Sequence, residues 1–414
     1  MERVILHSDL NAFYASVEEL YHPELAGQPI AVCGDPEARH GIVLAKNQLA
    51  KECGVKTGDV IWEARQKCRD IVILPARYER YLYYSGEIKK LYLSVTNQVE
   101  PFGLDECWLD VTGSTHLFGT GEEIANQIRE QVKSRYGLTV SVGVSYNKVF
   151  AKLGSDYKKP DATTVITREN YRDVVWPLPV EDLLYVGRAT KEKLKLYDIK
   201  TIGELAAIDP SALKSMFGKI GLMLWSFANG RDSSIVADFA AQDPIDSVGN
   251  STTAPRDLVT DDDIMITLVA LSESVAARLR KQGLTGRTIH VSVRDNDLYS
   301  VGRQHTIQYH TNNSRLIADY AFQLYKKHHY SGKPVRSLGV TVSNLIPDCY
   351  PQLSLFPEQH HVDKLDRIER VKDKLRGKYG YGVIQQGIML VDPMLNLDAM
   401  KDHVIHPVGL LGRG

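Results

Sequence analysis

Asp105 and Glu106 are adjacent carboxylates in an apolar stretch, with Val99 and Phe102 before them and Trp108, Leu109 and Val111 after. Stripping water from an unpaired carboxylate is costly, so acids in such surroundings need a compensating partner. Successive strand residues point to opposite faces. The two acids share a target only where the chain turns, and Pro101 with Gly103 predicts a hairpin there. A divalent cation suits that target, because Mg2+ takes one or two carboxylates and keeps places for phosphate oxygens. Taken alone, the pair reads as an acidic turn at a strand end. A second acid brought from elsewhere in the chain would overturn that reading.

The surrounding pattern says what positions these groups. Val4-Ile5-Leu6 predicts a buried strand ending at His7-Ser8-Asp9, and Phe13, Val17 and Leu20 then recur at helical spacing. By itself, Asp9 at that junction reads as a helix cap. Strands are expected at 30–33, 71–74 and 138–145, and helices at 43–53, 59–68, 78–98 and 121–136. Another helix opens at Asn147 and closes at Lys158-Lys159-Pro160. This alternation predicts an α+β domain with a mostly antiparallel sheet.

From 166 to 230 the pattern becomes short helices, at 183–196, 202–207, 210–217 and 222–227, joined by glycine turns. Tyr185 to Lys191, with Gly187, Arg188 and Thr190, resembles a helix-hairpin-helix, whose helix start offers N–H groups to a nucleic-acid phosphate. The usual form has glycine where Tyr185 stands, and a plain helical subdomain fits the same residues.

Residues 231–243 are polar and read as a linker. Strand 247–253, helix 264–282, strands 287–295 and 299–309, helix 313–329 and strand 335–346 follow, the βαββαβ order of a split-βαβ domain. Residues 244–345 hold 12 Lys and Arg against 9 Asp and Glu. Arg287, His290, Arg294 and Arg303 are expected to face one way, toward a phosphate backbone or solvent. Gln352-Leu353-Ser354-Leu355-Phe356 sets three large apolar residues in a turn-rich connector, which calls for a partner or a pocket. A charged helix is expected at 362–377, with Leu365, Ile368, Val371 and Leu375 on one stripe, and a last strand at 387–391.

The totals narrow the class. At 414 residues the chain has room for two to four domains. Lys plus Arg is 50 against 51 for Asp plus Glu, a net charge of −1, which argues against tight nonspecific binding to nucleic acid. The five cysteines form no C-x-x-C pair and read as packed thiols in a reducing compartment. No apolar run reaches the roughly 20 residues of a membrane span. Met1-Glu2-Arg3 is too polar for a signal peptide, so a cytoplasmic location is expected.

Over residues 3–345 the chain resembles the Y-family DNA polymerases of the DinB, or DNA polymerase IV, branch. The motifs stand in order: Asp9-Leu-Asn-Ala-Phe-Tyr-Ala-Ser-Val-Glu18, Gly54-Val55-Lys56-x-Gly58, Leu104-Asp105-Glu106 with Leu109-Asp110, Ser141 to Lys152, and Lys159-Pro160. The resemblance implies a multidomain right-hand fold with a ferredoxin-like palm (1–18 and 76–165), small fingers (19–75) and a helical thumb (166–230). The linker would lead to a split-βαβ little finger (244–345) and a tail (346–414).

It also implies a role for individual residues. Asp9, Asp105 and Glu106 become the carboxylates that hold two Mg2+ ions, with the Leu10 carbonyl as a further ligand. Such a pair activates the primer hydroxyl and neutralises the leaving pyrophosphate. Phe13, Tyr14, Gln48, Lys51 and Lys159 would meet the dNTP, Tyr14 as the steric gate against a 2′-hydroxyl and Lys159 on the triphosphate. Gly187, Arg188, Thr190, Arg287, Arg294 and Arg303 would meet primer–template DNA. Gln352, Leu353, Leu355 and Phe356 fit the bacterial sliding-clamp peptide Q-L-x-L-F, and a monomer is expected.

The chain departs from the family pattern at a few places. Gln48 and Lys51 stand where Tyr and Arg are common, and Gly103 where serine is. Ile42 and Leu44 stand where smaller residues are frequent, so less tolerance of bulky minor-groove adducts is expected. Three functions compete: a translesion polymerase, a catalytically silent accessory protein recruited by the clamp, and a nucleotidyl cyclase. Retention of all three acids favours the first.

Overall fold

The computed structural model describes residues 2–35, 39, 41–241, 244–328, 332–348 and 358–395. The chain divides at about Gln242 into two compact units. The core of the first is a five-stranded sheet in the order Val99–Pro101, Glu106–Asp110, Ile5–Leu10, Val140–Ser145, Thr163–Ile166. Only its last pair is parallel. The strand Ile5–Leu10 is buried along its length and central, which is why six residues without polar alternation fold as a strand. On one face Leu6, Leu10, Val140 and Val142 pack with Ile88, Leu91, Ile124 and Ile128 of two helices, Tyr78–Leu93 and Gly121–Tyr136.

The helix Lys148–Tyr157 lies against the other face. Gly143 makes that approach possible: a Cβ there would collide with the Ala151 carbonyl and the Ser155 amide, and Gly154 rests against the Gly143 Cα. Asn147 caps the helix, its side chain accepting from Phe150 N at 2.8 Å.

Residues 43–53 differ from the expected helix. Val43–Lys46 pairs with Ile30–Cys33 as a strand, and only Gln48–Glu52 is helical. Asn47 divides them by accepting from both Ile30 N and Ala50 N, so one side chain ends the strand and caps the helix. The expected helix 183–196 also shortens to Arg188–Lys195, preceded by the 3-10 turn Val180–Asp182. Tyr185 there has a φ of 72°, the left-handed conformation that explains why glycine is usual at this point.

The linker reading is corrected for residues 231–239. Lys148 and Glu100 form a buried ion pair at 2.6 Å, and Glu100 also accepts from Ala237 N at 3.0 Å. Val236 is buried among Ile5, Trp108 and Ala151, so this segment is strapped to the sheet domain.

The second unit has the expected βαββαβ order, with the sheet arranged Ser300–Thr311, Leu284–Asp295, Val335–Pro347, Ser247–Leu258. The helices Asp261–Lys281 and Ser314–His328 supply its core, with Leu268, Leu271, Val275 and Ile317. The later helix, Glu358–Tyr379, reverses the sequence expectation: Ile368 and Val371 are exposed, while Glu369 and Lys372 are buried. Lys372 Nζ meets Glu273 at 3.0 Å and Glu369 at 2.7 Å, and Arg376 meets Glu273 at 3.0 Å. Gly387–Leu390 is a 3-10 turn, where the sequence predicts a strand. The peptide Gln352-Leu353-Ser354-Leu355-Phe356 lies outside the described residues.

Candidate active site

Register brings the separated acids together. Asp9 pairs with Glu106 across neighbouring antiparallel strands, so both side chains leave the same face. Leu10 N donates to the Asp105 carbonyl at 3.0 Å, tying the acidic turn to the end of the central strand. Gly103, at φ 109°, makes the turn between the edge strand Val99–Pro101 and its neighbour Glu106–Asp110. Asp9 is not a helix cap, for the following helix starts at Phe13 with Ala12 before it. The hairpin at 101–105 is present as the sequence predicts.

Each of two acids carries a lysine. Lys159 Nζ lies 2.7 Å from Asp9 Oδ2 and 2.7 Å from Asp156 Oδ1. Lys152 Nζ lies 2.5 Å from Glu106 Oε2. Burial raises the Asp9 carboxyl to about 7 against the pull of Lys159, and Glu106 adds to the rise. Asp105 is likewise raised by burial and then by Glu106. Burial pushes Glu106 up too, but the contacts with His7 and Lys152 outweigh it and hold it well below its ordinary value. Three largely buried acids thus lie near one another, where cationic charge is favoured.

That donor set of carboxylate oxygens is what a hard divalent cation selects. Among the described residues no cluster of three such groups stands at metal-holding spacing. A hard dication would compete with the ammonium groups of Lys152 and Lys159 for these carboxylate oxygens, so the donor chemistry fits one.

The remaining predicted residues fall into three places. Phe13 is buried and Tyr14 is half-buried, its ring stacked on Tyr81 at 4.1 Å with 8° between planes. Gln48 and Lys51 lie exposed on their short helix, Gln48 donating to Glu52, and neither touches the carboxylates. Gly187 begins the helix Arg188–Lys195, whose first turn holds Arg188 and Thr190. In the second unit, Arg294 pairs with Ser300 and Arg303 with the buried Val291. His290 and Arg294 therefore share a face, while Arg303 has the opposite parity, and the single-face expectation is corrected for Arg303. Between Gly286 and Thr288 the register shifts, so Arg287 falls at an irregularity of the strand.

Sequence reasoning misses Lys152 and His7, which lie against Glu106, and Ser155, which lies against His7. Lys152 closes the motif that begins at Ser141 and sits mid-helix, while Lys159 follows the helix end, and each reaches a neighbouring acid. His7 carries no signal beyond sitting two residues before Asp9, on the same strand face.

The impB/mucB/samB family profile matches residues 8–156, and that family's C-terminal domain profile matches 245–355. A profile described as the DNA polymerase-iota thumb domain matches 181–232. The chain is 51% identical to a DNA polymerase IV of Acetivibrio thermocellus, over 96% of this chain and 100% of that one. It is 38% identical to a DNA polymerase IV 2 of Bacillus subtilis, over 92% of each. A chimeric Y-family DNA polymerase of known structure superposes with a TM-score of 0.73, at 24% identity, over 83% of this chain and 99% of that one.

Proposed function

The chain belongs to the impB/mucB/samB family of Y-family DNA polymerases, and from that membership we propose how its residues carry out templated DNA synthesis. It is a DNA-directed DNA polymerase of the translesion type, dependent on a divalent metal and acting on DNA and dNTP. Residues 1–18 and 76–165 act as the palm, 19–75 as the fingers, 166–230 as the thumb and 244–345 as the little finger. The observation that carries the reading is the register pairing of Asp9 with Glu106, with Asp105 beside them.

Asp9, Asp105 and Glu106, with the Leu10 carbonyl, would hold two Mg2+ ions. When bound, the ions supply a primer hydroxyl of lowered pKa and charge neutralisation for the pyrophosphate. The protein positions the rest. Lys159, freed from Asp9, would meet the triphosphate, where a compact ammonium follows a moving phosphate. Tyr14 is backed by Tyr81, so its ring cannot retreat from a ribose 2′-hydroxyl. Phe13 supports it from the core, and Gln48 and Lys51 reach toward the nucleotide from the fingers. Gly187, Arg188 and Thr190 offer a helix start to a DNA phosphate. Arg287, Arg294 and Arg303 add positive charge along the little finger.

The peptide Gln352-Leu353-Ser354-Leu355-Phe356 would bind the sliding clamp, offsetting the weak DNA affinity of a monomer with net charge −1 by raising local concentration. Among the described residues no helix is long and apolar enough to cross a membrane.

Primer extension tests the reading. Wild type should extend a primer in Mg2+ and stop in chelator, and Asp105→Ala should lose activity by at least a thousandfold while melting like wild type. Extension by Asp105→Ala at the wild-type rate would refute the assignment. Adding the clamp should lengthen products for wild type and not for a Leu355→Ala/Phe356→Ala chain.

A further inference from the structure

Residues 158–162 join the helix Lys148–Tyr157 to the edge strand Thr163–Ile166, and Lys159 stands among them. Asp161, two places beyond it, is gripped by two other elements. Arg129, on the helix Gly121–Tyr136, donates from Nε and Nη2 to Asp161 Oδ1 at 3.2 and 2.9 Å. The same Nη2 donates to the Asp161 carbonyl at 2.5 Å. From the other side, Asn11 Oδ1 accepts from the Asp161 amide at 2.9 Å. Lys133 adds a second cation 3.2 Å from Asp161 Oδ2.

Each grip is itself held. Arg129 Nη1 donates to Asn126 Oδ1 at 3.1 Å, which ties the guanidinium to its own helix as well as to the loop. Asn11 is buried; its Nδ2 donates to Ser141 Oγ at 2.9 Å and its amide to the Thr139 carbonyl. Its Oδ1 is thereby aimed at the loop. Asp161 has a φ of 51°, a left-handed conformation that Asp tolerates better than most side chains. A planar fork across a carboxylate and its own carbonyl fixes direction as well as distance, which an ammonium could not do.

We propose that Arg129, acting through Asp161 with Asn11 opposite, is a positioning residue for Lys159. It holds the chain just beyond Lys159, so that the ammonium stands 2.7 Å from Asp9 Oδ2. Asn11 follows Asp9 by two residues, so the segment bearing the acid and the loop bearing the lysine are tied directly. Without the grip, the loop keeps the bond from the Val142 amide to the Ala162 carbonyl, three residues past the lysine. An ammonium on a freer loop loses part of its orientation toward a phosphate.

The inference rests on Lys159 meeting the triphosphate, and single-nucleotide insertion by the full chain on primer–template DNA tests both. Arg129→Met keeps the aliphatic stem and removes the fork. It should raise KM for dNTP about fivefold to tenfold, with kcat within about twofold. In a Lys159→Ala background the same change should alter KM by less than about twofold, because the group it positions is gone. Should Arg129→Met melt early, Asp161→Gly in the same two backgrounds gives the same readings, since glycine accepts that φ without strain.

Wild-type KM in both variants, a kcat loss in place of the KM rise, or the same loss with and without Lys159 would each overturn the proposal. The last of these would assign the ion pair to the fold alone. Lys159→Ala by itself separates the two ideas. An unchanged KM there would remove the triphosphate reading and the inference with it, whereas a raised KM there beside wild-type KM in Arg129→Met would remove the positioning role alone.

Discussion

Lys159 bridges Asp9 and Asp156 at 2.7 Å each, so a nucleotide must draw it off an acid before the triphosphate is held. A hydrogen bond to a charged group contributes about 1.5–3 kcal/mol. Lys159→Ala should therefore raise KM for dNTP roughly tenfold to a hundredfold, with a smaller effect on kcat, as measured by single-nucleotide insertion. A kcat collapse at unchanged KM would assign the lysine to the chemical step. Taken alone, the acidic pair reads as an exposed turn and Asp9 as a helix cap, and only the ordered motifs of the family resemblance drew the three acids together. The groups behind them were not legible. His7 looks like any strand residue until the register with Trp108 and Glu106 is known, and Ser155 depends on a helix approach that only Gly143 reveals.

Elements were readable where one face was apolar and misread where charge did the packing. The helix Gly121–Tyr136 matches its predicted bounds, since Thr120 and Glu123 form a capping box and Gly137 ends it. Glu358–Tyr379 defeats the same logic: its apolar stripe predicts a buried face through Ile368 and Val371, yet it docks through Glu369, Lys372 and Arg376. Periodicity records where apolar residues are, and says nothing of a buried acid such as Glu273 on another helix. Glu273 also accepts from Tyr381 at 2.8 Å and Gln386 at 3.1 Å. Leaving a buried charge unpaired costs about 3–5 kcal/mol. A chain ending at Asp348 should lose stability of that order in urea unfolding of the second unit, and Glu273→Leu in the shortened chain should restore part of it. Equal midpoints for full and shortened chains would refute the docking energetics.

Across the whole molecule, near-neutral charge hides local ion networks that set its response to acid. Asp263 is held far below its ordinary value, first by the Arg256 guanidinium and then by amides of Val259 and Thr260, outweighing burial. A depressed carboxyl contributes stability that is full above the unfolded value, about 4, and is lost as pH falls toward the folded one. Unfolding midpoints of the second unit should therefore drop below about pH 4, and less so in Arg256→Ala, which begins less stable at neutral pH. A parallel fall in both chains would assign the acid response to other groups. The division into two units was legible from the change of pattern near 240, but the strap at 231–239 was not, because its anchors Glu100 and Lys148 lie far away in sequence.

The contact between Gly143 and Gly154 has a consequence for variation. Neither residue touches a reacting atom, yet any side chain at Gly143 drives a helix off the sheet and takes Lys152 and Ser155 with it. In a saturation library selected for polymerase output, both sites should tolerate as little as the acids do. A tally of intolerant positions would then mistake a spacer for a participant.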